Sequence, residues 1–151
     1  MAPSATFGNI VCAVDGSPHG LKAARLASEL AAACGAGLTF LTVTKRLKMT
    51  EEVKHYLEVE NLGTNDPQYV LDEFTKDILD QANAVAQEAG VSDSQSEIKV
   101  GQPARTIVEF AVRSKCDAIV LGGRGHGDLE GGFLGSVSHK VASLAKCTVL
   151  R

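Results

Sequence analysis

Hydrophobic residues along the chain form short apolar runs that alternate with longer stretches of helical periodicity. Three runs have the length of strands and cover residues 9–14, 38–43 and 118–121. Two further segments, residues 97–100 and 148–150, predict two more strands. Strands that alternate with helices favour a parallel sheet with helices on both of its faces. The sequence therefore predicts an α/β fold.

The stretch between the first two strands carries the signals of a helix. Ser17 and Pro18 provide an N-cap and a first-turn proline, and Gly35 is placed to end the helix. Apolar residues at helical spacing predict the face that is turned towards the core. We expect this inward stripe to consist of Ala23, Leu26, Ala27, Leu30 and Cys34.

Helices are also predicted after the second, third and fourth strands. Pro67 opens the first of them and Pro103 the second, while the last spans about residues 136–145. Residues 44–66 are polar and longer than a usual connection in an α/β unit, so we expect a flexible flap there. Residues 1–151 contain no linker or repeat, which favours a single domain. The inward stripe of the helix after Pro67 is predicted to contain Leu71, Phe74, Ile78, Val85 and Ala89.

Composition argues against several classes of protein. The net charge of -3 disfavours a nucleic-acid partner, which would require a basic face. No apolar run approaches the ~20 residues of a membrane span, and residues 1–9 lack the pattern of a signal peptide. We therefore expect a cytoplasmic protein without a membrane partner. Widely spaced cysteines predict buried structural thiols rather than a metal site: Cys12, Cys34, Cys116 and Cys147.

The glycine-rich segment after the fourth strand is the main candidate for a binding site. Seven glycines occur between Gly122 and Gly135, and a helix is predicted to begin at Ser136. A glycine backbone can approach an anion closely, and a helix start adds unpaired N–H groups. Each hydrogen bond to a phosphate contributes ~1.5–3 kcal/mol, so several of them could supply the about 8 kcal/mol of micromolar binding. Phosphate binding is the prediction, and a plain flexible loop is the alternative.

The spacing within this segment resembles a known motif. Two residues separate Gly122 from Gly125, and nine residues separate Gly125 from Gly135 and Ser136. This spacing resembles the G-2x-G-9x-G-(S/T) motif of the ATP-binding universal stress proteins, and the resemblance covers nearly the whole chain. It implies an open five-stranded parallel sheet in the order 3-2-1-4-5, a Rossmann-like three-layer sandwich of the adenine-nucleotide alpha-hydrolase type. ATP would lie over the carboxyl ends of strands 1, 2 and 4.

The resemblance also implies contacts with the nucleotide. Ala13 would flank the base, Asp15 would lie at the ribose, and Val43 would contact adenine through its backbone. From the residues alone, Asp15 would instead be a turn acid beside Ser17. No metal site of the protein itself is expected, and Mg²⁺ would arrive with ATP, with AMP or cyclic AMP as alternative ligands. The ribose and phosphates would be held by Gly122, Gly123, Arg124, Gly125, Gly135, Ser136, Val137 and Ser138.

The functional expectation is a nucleotide-dependent module for stress response or signalling. No set of catalytic residues is evident in the local patterns, so we expect slow ATP hydrolysis at most. The alternative is a slow ATP hydrolase or a phosphoryl- or adenylyl-transfer enzyme that uses Arg124, His126 and the lysines of the flap. The resemblance implies a homodimer formed through the last strand. The family often has proline after the cysteine that stands here as Cys147, so the mode of pairing is left open.

Overall fold

The structure, a computed structural model, describes residues 7–44, 67–122 and 136–151, with side chains from residue 72 onward in the second range. Within these ranges the strands and helices alternate along the chain. All of the predicted flap except Thr44 lies outside the described residues. The elements are β1 (Asn9–Ala13), α1 (Pro18–Cys34), β2 (Gly37–Thr44), α2 (Pro67–Glu88), β3 (Gln95–Val100), α3 (Pro103–Arg113), β4 (Ala118–Leu121), α4 (Ser136–Leu144) and β5 (Thr148–Leu150).

The strands form one parallel sheet in the order β3-β2-β1-β4-β5. This confirms the predicted fold class and strand order. Strand β1 is central, and Val11 lies opposite both Thr39 of β2 and Ile119 of β4. The chain runs outward from β1 to β3 and then returns to the other side of β1. The carboxyl ends of β1 and β4 therefore form a topological switch point, the place where open α/β sheets bind ligands.

Two core clusters cover the two faces of the sheet. Ile10 and Phe40 belong to the cluster beneath α1 and α2. Val11 and Leu41, their neighbours along the strands, belong to the cluster beneath α3 and α4. This alternation follows from the period of two in a strand. All positions of β4 are buried, as expected for an inner strand with helices on both sides.

Small residues form the buried face of α1, and the predicted stripe is confirmed at Ala23 and Ala27 but wrong at Leu26. Leu26 was expected to face inward, but it is 45% exposed. Helix α1 packs against both the sheet and α2, and small side chains allow this close approach. The predicted ends are confirmed, because Ser17 caps the helix and Gly35 ends it with a left-handed φ of 65°. The residues buried along α1 are Gly20, Ala23, Ala24, Ala27, Ser28 and Ala31.

The predicted stripe of α2 is wrong at Phe74. This side chain is 54% exposed, whereas Thr75 and Leu79, outside the predicted stripe, are buried. Ile78 is buried as predicted. The buried face is therefore rotated from the predicted one towards Thr75 and Leu79. Contacts with α1 and β2 fix the orientation of the helix, and a sequence pattern does not report them.

Candidate functional site

The carboxyl ends of β1 and β4 bring two distant parts of the sequence together. Ala13 is the last residue of β1 and lies opposite Leu121, the last residue of β4. Asp15 follows β1 after one intervening residue, and Gly122 follows β4 directly. These two predicted residues therefore lie on either side of the switch point. We call this side of the sheet the carboxyl edge, and the opposite side the amino edge.

Asp15 organises the turn that leads from β1 into α1. Its Oδ1 accepts hydrogen bonds from the Ser17 amide at 2.9 Å and from the Ser17 hydroxyl at 2.6 Å. The Ser17 Oγ in turn accepts from the Gly20 amide at 3.0 Å and caps α1. Asp15 thus has the role of a turn acid. A carboxylate has about four acceptor positions, so this role does not exclude a hydrogen bond from a ligand hydroxyl.

Glycines on both sides of Ser17 make the turn compact. Gly16 has a φ of 85°, a conformation that side chains rarely adopt. A Cβ on Gly16 would also lie 3.1 Å from Cγ1 of Ile78. A Cβ on Gly20 would lie 3.0 Å from Oδ1 of Asp15. The position of the carboxylate therefore depends on the absence of side chains around it.

Gly122 packs directly against the first turn of α1. A Cβ at this position would lie 2.9 Å from the Cβ, the carbonyl carbon and the carbonyl oxygen of His19. The protein itself thus requires glycine here, independently of any ligand. His19 is exposed and adjoins the predicted site, and it was missed in the sequence analysis. The sequence signal that could have identified His19 is its position in the first helical turn after the Ser17 cap, because that turn begins at the carboxyl edge.

Hydrogen bonds beyond the end of β1 fix the backbone that precedes Asp15. The Val14 amide donates to the Leu41 carbonyl at 3.0 Å. The hydroxyl of Thr42, which is buried, donates to the Val14 carbonyl at 3.1 Å. These bonds continue the connection between β1 and β2 up to the turn. Thr42 is a second residue of this edge that the sequence analysis did not identify.

Three predicted site residues share one face of the sheet. Ala13 of β1, Val43 of β2 and Val137 of α4 are partly buried and pack against the same core cluster. Ser136, the first residue of α4, is exposed, whereas Ser138 is 1% exposed and belongs to the buried face of the helix. The structure therefore brings β1, β2 and the first turn of α4 to one core. The predicted residues Gly123, Arg124, Gly125 and Gly135 lie outside the described residues.

The amino edge is closed by Asp117. Its Oδ2 accepts from the Gly8 amide at 2.7 Å and from the Asn9 amide at 3.0 Å. The side chain of Asn9 also donates to the Ser114 carbonyl at 3.0 Å. These bonds join the segment before β1 to the segment before β4. Asp117 therefore has a structural role, far from the candidate site along the strands.

The described cysteines differ in burial. Cys12 is buried in β1, and burial raises the pKa of its thiol. Cys34, Cys116 and Cys147 are only partly buried, so the prediction of buried thiols is wrong for them.

Within residues 7–44, 67–122 and 136–151, no group of three or more His, Cys, Asp or Glu side chains could hold a metal ion. No helix in the same ranges is long and apolar enough to cross a membrane.

Comparisons with known proteins give matches over nearly the whole chain. A family model described as the universal stress protein family matches residues 6–151. A universal stress protein from Thermus aquaticus is 36% identical over 148 residues, which cover 95% of this chain and 97% of the relative.

Solved structures with similar folds belong to proteins of the same description. The crystal structure of a universal stress protein in complex with cAMP has 31% identity and a TM-score of 0.68, with 97% of this chain and 96% of that chain covered. The universal stress protein UspA from Lactobacillus plantarum has 26% identity and a TM-score of 0.77, with 95% of each chain covered. The fold described above is therefore shared with these relatives.

Proposed function

This chain belongs to the universal stress protein family, and we propose that it binds an adenine nucleotide at the carboxyl ends of β1, β2 and β4. The observation that carries the proposal is the switch point between Asp15 and Gly122. The relative of 31% identity that was crystallised with cAMP supports the same class of ligand.

The proposed roles at the base and the ribose follow from charge and shape. A carboxylate repels phosphates but accepts hydrogen bonds from hydroxyls, so Asp15 is assigned to the ribose. Its attachment to Ser17 supports this role, because a fixed carboxylate loses little freedom on binding. Ala13 and Val43 are partly buried apolar residues of the adjacent strand ends, which suits contact with the flat face of a base.

The proposed phosphate site combines the glycine-rich segment with the start of α4. A helix dipole alone contributes ~0.3–1 kcal/mol, whereas a hydrogen bond to a charged phosphate contributes ~1.5–3 kcal/mol. Micromolar binding requires about 8 kcal/mol, so several N–H groups and hydroxyls must act together. We assign this role to Gly122, Gly123, Arg124, Gly125, Gly135, Ser136, Val137 and Ser138. The number of such groups favours ATP, with Mg²⁺ carried by the nucleotide, over a monophosphate.

In this proposal the protein is a cytoplasmic homodimer, and its nucleotide-bound form acts in the stress response.

Isothermal titration calorimetry with ATP, AMP and cyclic AMP tests the binding step. We expect ATP to bind with a micromolar Kd, and no binding of any of the three would overturn the proposal. The rate of phosphate release from ATP in the presence of Mg²⁺ distinguishes a binding module from a hydrolase. Turnover above about one per minute, although slow for an enzyme, would indicate a hydrolase.

The substitution Asp15→Asn tests the assigned ribose contact. The amide oxygen can still accept from Ser17, so the turn should persist, while the loss of charge weakens the bond to a ribose hydroxyl. We expect Kd for ATP to rise about 5–20-fold, the equivalent of roughly 1–2 kcal/mol, with little change in stability. Asp93→Asn, the same change at an exposed position before β3, should leave Kd unchanged. Equal effects of the two substitutions would refute the assigned contact.

A further inference from the structure

Two cysteines that are distant in sequence lie in one pocket at the amino edge. Cys116 precedes β4 and Cys147 precedes β5. Both line an apolar pocket of about 210 Å³ between α3 and the end of α4, whose walls include Ala111, Val112 and Ala145. Both cysteines are partly buried and therefore accessible through this pocket. The site is separate from the carboxyl edge, so it does not depend on the proposed nucleotide binding.

The pairing of β4 with β5 brings the two backbone positions within reach of a disulfide. Ala118 lies opposite Thr148, and the Thr148 amide donates to the Asp117 carbonyl at 3.3 Å. The same register continued by one residue sets Asp117 opposite Cys147, with Cys116 next along the chain. Neighbouring strands are about 4.8 Å apart, which sets the spacing between Asp117 and Cys147, and both cysteines pack against the same core cluster. Disulfides span Cα distances of ~4.4–6.8 Å.

We propose that Cys116 and Cys147 are a thiol modification site, which a low-molecular-weight disulfide such as oxidised glutathione converts into an intrachain disulfide. One cysteine thiolate attacks a sulfur of the glutathione disulfide, forms a mixed disulfide and releases one glutathione thiolate. The other cysteine then attacks the protein sulfur of the mixed disulfide and expels the second glutathione. The protein is oxidised by two electrons, and its two thiol protons end on the two reduced glutathiones.

The surroundings of the pair control the rate of this exchange. Burial, the largest cause, acts together with the charges of Cys147 and Asp117 to raise the pKa of Cys116 to about 11. Burial is also the main cause that raises the pKa of Cys147. The other charged groups at the pocket are Lys115 and Lys146, while α3 contributes apolar walls. Because the thiolate is the nucleophile, exchange is slow at neutral pH and should accelerate about tenfold per pH unit up to about pH 10.

A disulfide suits this pocket better than either thiolate does. The bridge is neutral, so its burial carries no cost for removing a charge from water. It would also close a loop that contains β4 and α4, which restricts the unfolded chain. We therefore expect the bridge to raise Tm by roughly 5–15 °C.

The experiment treats the reduced full chain with oxidised glutathione at about pH 7.5 and about pH 8.5. Acid quenching, digestion and mass spectrometry then identify the linked peptides. We expect a Cys116–Cys147 link as the main product, formed about tenfold faster at the higher pH. Cys116→Ser and Cys147→Ser should each stop at a glutathione adduct on the remaining partner. Cys34→Ser, a control on the other face of the sheet, should still form the link.

The same reaction in urea gives the matched control for the role of the fold. The unfolded chain samples every pairing of its cysteines, so the preference for the Cys116–Cys147 link should be lost. Glutathione adducts on both residues of the native chain without a link between them would overturn the proposal. A Cys12–Cys34 link that forms faster in the native chain would overturn it as well.

Discussion

The two edges of the sheet are closed in different ways. At the amino edge, the Asp117 carboxylate and the Asn9 side chain bond to backbone groups and join the segments before β1 and β4. At the carboxyl edge, Gly122 packs against the first turn of α1, and glycines surround the Asp15 turn. Polar side chains bond to the backbone at both edges, but only the carboxyl edge also relies on glycines that allow close packing. An edge built from small residues leaves its backbone accessible, which a binding site requires.

The candidate site therefore depends on close packing as well as on polar groups. The contact between Gly122 and His19 joins β4 to α1, and the bonds of Asp15 join β1 to α1. Changes at the carboxyl edge should therefore affect stability and ligand binding together. Changes at the amino edge should affect stability alone.

Gly122→Ala should have the largest effect on this comparison. The added Cβ meets backbone atoms of His19 at 2.9 Å, and these cannot move without displacing the start of α1. We expect the free energy of unfolding in urea to fall by about 2–3 kcal/mol, with a loss of ATP affinity. Gly35→Ala is the control, because a Cβ there meets nothing within 4 Å and the cost comes only from its φ of 65°. That cost is about 1 kcal/mol, and an equal loss in both variants would contradict the packing argument.

Asp117→Ala tests the amino edge. The substitution removes the acceptor of two backbone amides, those of Gly8 and Asn9. Since these groups are exposed and water can replace the carboxylate, we expect a loss of about 1–2 kcal/mol in urea unfolding. Asp117→Asn keeps an acceptor oxygen and should recover part of this loss. Calorimetry should give an unchanged Kd for ATP, and a large change in affinity would show that the two edges are coupled.

Ser17→Ala should have a smaller effect on stability and a second effect on binding. It removes the acceptor of the Gly20 amide, which caps α1, and the hydroxyl bond to Asp15, while the amide of residue 17 can still donate to Asp15. We expect a loss of about 1 kcal/mol by urea unfolding and a weaker affinity for ATP. Ser28→Ala is the matched control, because this buried hydroxyl only donates to the Ala24 carbonyl within the same helix. A comparable loss of affinity in the control would exclude a specific role for the Asp15 turn.

Much of the fold was predictable because its signals are local. The apolar run at Ala118–Leu121 and the cap at Ser17 depend on residues that are adjacent in sequence, and both are confirmed. The family was predictable from the spacing of Gly122, Gly125 and Gly135, which resembles a motif of that family, and the comparisons confirm it. The nucleotide itself stays a prediction.

The inward faces of the helices were harder to predict. Leu26 and Phe74 are large apolar residues at helical spacing, yet both are substantially exposed. The packing of α1 against α2 and the sheet selects the small face of α1 instead. The hydrophobicity of the residues does not predict which face is buried, because the buried face depends on the distance between two packed elements.

Local sequence is sufficient for the alternation of strands and helices, the helix ends and the glycine spacing, since each depends on neighbouring residues. Which distant residues come into contact depends instead on how the strands and helices pack. This packing sets Gly122 against His19 at one edge, and Cys116 in the same pocket as Cys147 at the other. The physical reason is the order of the strands, because the pairing of β4 with β1 and β5 joins segments that no local pattern relates.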